Sequence, residues 1–247
     1  MISVIIPTCD RPAEFLREAI DSVLAQTLPP SEVIVVDNGT RDADPAALPD
    51  GVTLYRLPPR VGPSRARNFG AAMAKGTHLA FLDDDDWWEN SFLEKCSKVL
   101  LSQELDCVYS GVHSYSNGLK TIKYTPNVED LTVHKLLKRN TGASGSNFFI
   151  CKEVFWKIGG FDEKLKISED RDLGIRLLLS HTKLGFCDKT YVTVREHSGD
   201  RLTNKPPIRL RFLLKYHDEI GLILTLKLFF LYLAKKPFNL LKKFINF

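Results

Sequence analysis

The chain of 247 residues is 44% hydrophobic and 26% charged, which is ordinary for a globular protein with one large core. Its five cysteines are scattered and include no C-x-x-C pair, so a disulfide framework or a zinc site is disfavoured and a reducing compartment is indicated. The first ten residues, MISVIIPTCD, lack a basic stretch and a long apolar run, so we expect no signal peptide and a cytoplasmic protein.

The net charge of +4 is unevenly distributed along the chain. From residue 201 onward, ten Lys or Arg residues face two acidic ones, a net charge of +8 that leaves −4 for residues 1–200. We therefore expect a folded domain over residues 1–205 and a basic, apolar helical tail over residues 206–247. Because the domain itself is acidic, we expect no nucleic-acid partner.

Strand and helix patterns alternate along the first third of the chain. Continuous apolar segments predict strands at 2–6, 32–37, 53–57 and 78–82. Helical periodicity predicts helices at 11–27 and 62–76, and it places on one face of the first helix Leu16, Ala19, Ile20, Val23 and Leu24. Apolar strands that alternate with helices indicate an α/β fold whose parallel sheet is covered on both faces.

Beyond residue 90 the pattern becomes mixed. A helix is predicted over 89–103, strands near 106–115 and 119–125, and a short apolar strand after a Gly- and Ser-rich stretch that begins at 141. A further helix is predicted over 168–181, because Ser168 is its expected N-cap and acidic residues fill its first turn. The segment 190–200 reads as an alternating strand that runs into a polar loop.

Small or acidic residues follow three of the predicted parallel strands. Pro7 and Thr8 follow the first strand, Asp37 ends the second, and the run from Asp83 to Asp86 follows the fourth. Since ligands of open α/β sheets bind beyond the carboxyl ends of the strands, these residues predict a site at one rim.

Four consecutive aspartates stand between apolar residues in Leu79–Trp88 (LAFLDDDDWW). Carboxylates this close repel one another and raise each other's pKa values. Hard oxygen ligands suit Mg²⁺ or Mn²⁺, which commonly bind one or two carboxylates together with substrate phosphates. The apolar flanks disfavour a plain solvated loop, so we expect a divalent cation, Mn²⁺ or Mg²⁺, at this run.

Six motifs occur in an order and at spacings that resemble family 2 of the inverting nucleotide-sugar glycosyltransferases. The motifs are SVIIPTCDRP, EVIVVDNGT, GPSRARNFG, AFLDDDDWW, GGFDE and SEDRDLGIRL. The resemblance covers roughly the first four-fifths of the chain. It implies the GT-A fold, a Rossmann-like mixed sheet flanked by helices, and a UDP-sugar donor.

The resemblance also implies which residues bind the donor. Asp37 would contact the nucleoside, the alternative being an Asx turn that caps the loop without a ligand. Asp83 would lie near the ribose or the metal, and the segment from 62 to 70 would contact the nucleotide, the alternative being an exposed basic helix face. The other implied donor-binding residues are Pro7, Thr8, Asp10, Arg11, Arg65, Asn68 and Asp84.

Two residues are implied as metal ligands. Asp85 would be the direct ligand, although Asp84 and Asp86 blur the register of the D-x-D pattern. His197 would complete the coordination or contact the diphosphate, the alternative being a structural histidine.

The resemblance implies Asp170 as the general base, which takes the proton of an acceptor hydroxyl as that hydroxyl attacks the anomeric carbon. A helix N-terminus lowers the pKa of a carboxyl group, whereas the burial that suits a base raises it. The alternative is that Glu169, Asp170 and Asp172 only complement the helix dipole. The implied acceptor-side residues are Ser146, Asn147 and Glu169.

Residues 219–247 are very apolar and contain interspersed lysines. Their apolar run, 220–234, is shorter than the roughly 20 residues that a transmembrane helix needs. A basic amphipathic helix peripheral to the inner leaflet of the membrane fits the composition, the alternative being packing on the protein's own core or in a dimer.

We therefore expect an inverting glycosyltransferase that moves a hexose or N-acetylhexosamine from a UDP-sugar to a glycan or lipid-linked acceptor, typically in polysaccharide biosynthesis. The first alternative is an inactive, membrane-associated module that binds nucleotide sugars. The second is a nucleotidyltransferase, which would need a Gly-rich phosphate loop with a lysine near the first strand, and PTCDRP has neither.

Overall fold

The computed structural model describes residues 1–41, 43, 48–125, 127, 132–138, 140, 142–196 and 209–220. Within these residues the strands are β1 Ile2–Thr8, β2 Glu32–Asp37, β3 Val52–Arg56, β4 His78–Phe81, β5 Trp87–Trp88, β6 Cys107–Ser116, β7 Leu119–Tyr124, β8 Phe148–Cys151 and β9 Leu184–Arg195. The helices are α1 Ala13–Leu24, α2 Pro63–Met73, α3 Phe92–Ser102, α4 Val133–Lys138, α5 Lys152–Lys157, α6 Glu169–Leu179, α7 Arg209–Lys215 and α8 His217–Ile220.

The described strands form one mixed sheet in the order β3-β2-β1-β4-β8-β6-β9-β5, with β7 paired to β6. The first four strands in this order are parallel, as the alternation of strands and helices predicts. β8 is antiparallel to both of its neighbours, β4 and β6, whereas β6 and β9 are parallel.

Apolar side chains cover both faces of the sheet and form two large buried clusters. Helix α1 contributes the predicted face through Leu16, Ala19, Ile20 and Val23. The inclusion of Leu24 in that face was wrong, because α1 ends there and the side chain is exposed. Ile20, one turn earlier in the helix, is buried on that face.

The carboxyl ends of β1, β2 and β4 meet at one rim, as predicted. Thr8 pairs in register with Asp37, and the Asn38 N–H donates to the Thr8 carbonyl oxygen over 2.9 Å. On the other side of β1, the Leu82 N–H donates to the carbonyl oxygen of Ile5 over 3.1 Å. The aspartate run therefore leaves the sheet beside the ends of β1 and β2.

Packing of the core continues past the predicted domain boundary at 205/206. Phe212 and Tyr216 are 2% and 3% exposed and belong to one of the two apolar clusters. We therefore propose that the folded unit extends to residue 220 and that the tail begins after it. In the part of the chain that the structure describes, no helix combines the length and the apolar character needed to cross a membrane.

Candidate active site

The four aspartates alternate between two environments. Asp83 and Asp85 keep 32% and 16% of their side-chain surface exposed, whereas Asp84 and Asp86 are buried. The Asp86 N–H donates to the Asp83 carbonyl oxygen over 3.1 Å, so the run turns tightly as it leaves β4. The two more exposed carboxylates are the ones that the D-x-D pattern assigns to the donor and its cation.

Asp84 has partners inside the protein. Its carboxylate accepts hydrogen bonds from the Thr8 hydroxyl (2.7 Å) and from Arg11 Nε (3.1 Å). Burial raises the pKa of Asp84 to about 6, although Arg11 and the Thr8 hydroxyl act to lower it. The three side chains join the end of β1 to the aspartate run, and their contact with a donor stays a prediction.

Asp86 is held from the opposite side of the run. Its carboxylate accepts hydrogen bonds from the Ser146 hydroxyl (2.6 Å) and from the Arg195 N–H (3.2 Å). Burial, and then Asp85 and Asp83, raise the pKa of Asp86 well above its ordinary value. Asp86 thus ties the run to β9 and to the segment 142–147.

The segment 142–147 forms hydrogen bonds that fix the position of the aspartate run. The Ser146 hydroxyl also accepts the Asp83 N–H over 3.0 Å. Asn147 donates to the Ser110 carbonyl oxygen over 2.9 Å and accepts the Ser144 N–H over 3.0 Å. Ser146 and Asn147 are fully buried, so contact of either side chain with an acceptor would require this segment to open. That role stays a prediction.

Arg67 of α2 lies between the aspartate run and α6. It is 3% exposed and forms ion pairs with Asp83 and, over 3.0 Å, with Glu169. Burial alone would lower the pKa of Arg67, but the two carboxylates raise it beyond its ordinary value. A Cβ atom at Gly145 would clash with the guanidinium of Arg67, so any other residue there would displace that group from its position. Arg67 therefore holds together segments that are far apart in the sequence.

The sequence motif predicts for Arg67 only a place in a segment that contacts the nucleotide, and it does not reveal this bridging position. The helical spacing carries a signal, because Arg67 falls on the buried face of α2 with Ser64 and Ala71. Arg65, two residues earlier, is mostly exposed and is not on this buried face. Its Nε lies 3.9 Å from Oε2 of Glu163. Its predicted contact with the nucleotide stays a prediction.

Asp170 lies in the first turn of α6, and its Oδ1 accepts the Arg171 N–H over 2.7 Å. Burial, and then Glu169, raise the pKa of Asp170 to about 7, although Arg171 and Arg67 act to lower it. The effect of burial, which raises the pKa of Asp170, thus outweighs the effect of the N–H group at the start of the helix, which lowers it. Ser168 occupies the predicted N-cap position, but with φ at 63° it lies in the left-handed region and its side chain makes no capping hydrogen bond.

The Asx turn considered for Asp37 is present. Oδ1 of Asp37 accepts the Gly39 N–H over 2.8 Å, and Oδ2 accepts the Ala43 N–H and Arg56 Nη1, both over 2.9 Å. Pro7, the residue before the end of β1, is buried nearby. Contact of Asp37 or Pro7 with a nucleoside stays a prediction.

Asp10 and Asn68 also form bonds within the protein. Asp10, with φ at 53°, accepts the N–H groups of Thr40 (2.7 Å) and Arg41 (3.0 Å). The Arg41 N–H is the main cause that lowers the pKa of Asp10. The Asn68 side chain donates to and accepts from the backbone of Phe161, both over 2.9 Å. These bonds shape the loops around the rim, and donor contacts of Asp10 and Asn68 stay predictions.

Two guanidinium groups of the protein offset part of the charge of the aspartate run. Arg11 Nη2 lies 3.1 Å from Asp85 Oδ2, and Arg67 pairs with Asp83. Among the described residues, no three His, Cys, Asp or Glu side chains converge as a metal site would require. Two partly exposed carboxylates with hard oxygen atoms do suit Mg²⁺ or Mn²⁺ when substrate phosphates supply further ligands. His197 lies outside the described residues.

The sequence profile described as "Glycosyl transferase family 2" matches residues 3–159. An uncharacterized glycosyltransferase of Rickettsia typhi is 32% identical over 191 residues, which cover 72% of this chain and 58% of that protein. An uncharacterized glycosyltransferase of Haemophilus influenzae is 31% identical over 188 residues, which cover 72% of this chain and 62% of that protein. The chain thus spans about three fifths of the length of these relatives.

The fold is similar to that of S. aureus TarS. The structure of TarS residues 1–349 in complex with UDP-GlcNAc superposes with a TM-score of 0.69 at 20% identity, covering 89% of this chain and 66% of that one. A second TarS crystal structure gives a TM-score of 0.63 at 19% identity, covering 87% and 43%. At this identity the likeness shows a shared fold, and the prediction of a GT-A fold is confirmed.

Proposed function

Because the chain belongs to glycosyl transferase family 2, we propose that it moves a hexose or N-acetylhexosamine from a UDP-sugar to a hydroxyl group of a glycan or lipid-linked saccharide. One observation carries this proposal: Arg67 pairs both with Asp83, at the donor rim, and with Glu169, beside Asp170. This shared partner supports a single site that includes the donor-side carboxylates and the candidate base. A UDP-sugar donor is further supported by TarS, which has the same fold and was solved with UDP-GlcNAc.

In the proposed reaction the acceptor oxygen attacks the anomeric carbon of the donor while its proton passes to the carboxylate of Asp170. The new carbon–oxygen bond forms on the face opposite the leaving group. The bond between the anomeric carbon and the diphosphate oxygen breaks, and UDP leaves with the bonding electrons. This single displacement inverts the anomeric configuration and requires no Ser or Cys nucleophile. A pKa of about 7 suits Asp170 for this task, because an efficient base titrates near the working pH.

The charged side chains at the rim are the basis for the proposed donor half of the site. Asp83 and Asp85 would hold a divalent cation, which would offset the negative charge of the diphosphate. Arg11, which follows β1, pairs with Asp84 and Asp85, and its guanidinium would lie close to the phosphates. Asp37 would bind the nucleoside at the carboxyl end of the neighbouring strand, β2.

The composition of the tail is the basis for proposing the acceptor and the location of the protein. Residues 221–247, which lie outside the described residues, are rich in Leu, Phe and Lys, a composition typical of helices that lie in a membrane interface. We propose that they contact the inner leaflet, on the cytoplasmic face, and bring the site close to a lipid-linked saccharide. Packing of the tail against a second copy of the chain is the competing arrangement.

The proposed donor site is tested by calorimetric titration of UDP with and without Mn²⁺. We expect Mn²⁺ to tighten UDP binding to the native protein by about tenfold or more, since a cation held by the carboxylates would offset the charge of the diphosphate. Asp85→Ala should abolish this gain. Asp21→Ala, which removes an exposed carboxylate on α1, is the matched control and should leave it intact. Equal UDP affinity with and without Mn²⁺ in the native protein would contradict the metal-assisted site.

A further inference from the structure

Residues 209–216, called the strap below, pack directly against the helix that carries the candidate base. The strap consists of α7 and Tyr216. Phe212 and Tyr216 are buried with their ring centroids 5.2 Å apart, and they belong to the same apolar cluster as Leu173 of α6. Arg211 Nη1 also donates to the Lys164 carbonyl oxygen over 3.2 Å. The strap is therefore part of the folded unit.

Asp172 of α6 is the main polar anchor of the strap. Its carboxylate has no solvent exposure, and it accepts the Tyr216 hydroxyl over 2.7 Å and Lys215 Nζ over 2.5 Å. Arg176 Nε, one turn later in α6, binds the other carboxylate oxygen over 2.8 Å. Lys215 Nζ also lies 2.7 Å from Asp162 Oδ2. Removing a partner of this buried carboxylate would leave its charge less well compensated and would destabilise the contact between α6 and the strap.

Arg171 forms a second anchor between α6 and the strap. Its guanidinium carbon lies 4.6 Å from the centroid of the Phe212 ring. The same guanidinium donates to the backbone carbonyl oxygens of Leu136 and Leu137, each over 3.0 Å. Phe212 therefore stacks on a side chain that also ties α6 to α4.

Both anchors lie immediately after Asp170 in the sequence, within the first turn of α6. The side chain of Ser168 does not cap this turn, so its first N–H groups lack the usual fixation by a hydroxyl group. Contacts from outside the helix then contribute to how firmly the turn is held. On one side Arg67 pairs with Glu169, and on the other the strap fixes Arg171 and Asp172.

From this arrangement we propose that the strap is a positioning element for Asp170, acting through Asp172 and Arg171. The inference rests on the proposed function, because it takes Asp170 as the base. The strap contacts given above, all between described residues, are with α6, Lys164 and Asp162, and they do not include Asp83, Asp85 or Arg11. Loosening the strap should therefore slow the chemical step and leave the binding of UDP unchanged.

The test compares Tyr216→Phe and Lys215→Met with the native full-length chain. Three quantities are measured: Mn²⁺-dependent UDP affinity, the rate of UDP release from UDP-N-acetylglucosamine or UDP-glucose, and amide hydrogen exchange over residues 168–174. We expect UDP affinity within about twofold of native, UDP release slower by about tenfold to a hundredfold, and faster exchange, because small displacements of a catalytic group have effects of this size. Lys215→Arg, which keeps the charge, should restore most of the rate.

Leu214→Ala is the matched control, because Leu214 lies on the exposed side of α7. Native rates and native exchange in both strap variants would overturn the proposal. A parallel loss of UDP affinity and rate would also overturn it, since that result indicates general support of the fold. If the native protein releases no UDP from any donor, the proposed function fails, and the exchange data alone decide whether the strap holds α6.

Discussion

Replacing Asp170 with asparagine is expected to lower the rate of transfer by about a thousandfold, within the range lost when a general base is removed. Asparagine keeps the size of the side chain and an oxygen that can accept the Arg171 N–H, but it cannot take up a proton. The measurement is the rate of UDP release or of product formation at saturating donor. UDP affinity should be unchanged, because Asp170 belongs to the acceptor half of the site.

The pH dependence of the transfer rate of the native enzyme is a second test of Asp170. The base acts as a carboxylate, and the pKa of Asp170 is raised to about 7, so the rate should fall about tenfold per pH unit below pH 7. A raised carboxyl pKa also means that burial of the charged form opposes folding at pH values above it. The neutral asparagine should therefore leave the protein folded at pH 8, which thermal unfolding can verify. An unchanged rate in the asparagine variant would exclude Asp170 as the base.

The second large effect is expected from Arg67→Met, which should reduce the free energy of unfolding by about 3 kcal/mol. The substitution keeps most of the side-chain volume but leaves Asp83 and Glu169 without their buried counter-charge. Chemical denaturation measures the loss. We also expect weaker UDP binding and slower transfer, because both halves of the site lose their common partner.

Two further substitutions separate the charge from its geometry. Arg67→Lys keeps the charge, but an ammonium group cannot bind two carboxylates with the fixed fork of a guanidinium, so an intermediate stability is expected. Arg65→Met removes a mostly exposed arginine two residues away and should change the stability by less than about 0.5 kcal/mol. Equal stability of Arg67→Met and Arg65→Met would contradict the bridging role of Arg67.

The fold was largely predictable because its first half depends on local patterns. Apolar runs and helical periodicity predicted the bounds of six elements to within a few residues: β1, α1, β2, β3, α2 and β4. The order of these elements in turn predicted that the carboxyl ends of β1, β2 and β4 meet at one rim. The position of β8 was not predictable in this way. It runs antiparallel between β4 and β6, and such pairing depends on contacts between segments distant in the sequence.

The sequence indicated the residue types of the proposed site but not their electrostatics. The sequence pointed to a divalent cation as the counter-charge for the aspartate run, whereas Arg11 and Arg67 already offset part of it. Arg67 pairs with residues 16 and 102 positions away, and no local pattern reveals such contacts. For Asp170, the balance between burial and the helix terminus depends on tertiary packing.

The central claim is that this protein is a metal-assisted transferase that uses a UDP-sugar. The most direct test is the release of UDP from a small panel of UDP-sugars, with Mn²⁺ or with EDTA, by the native protein and by Asp85→Ala. We predict that at least one donor is hydrolysed slowly by the native protein with Mn²⁺, and that EDTA or the loss of Asp85 abolishes the release. No release from any donor, together with no Mn²⁺-dependent binding of UDP, would contradict the claim, and the four aspartates would then be a charged loop held by two arginines.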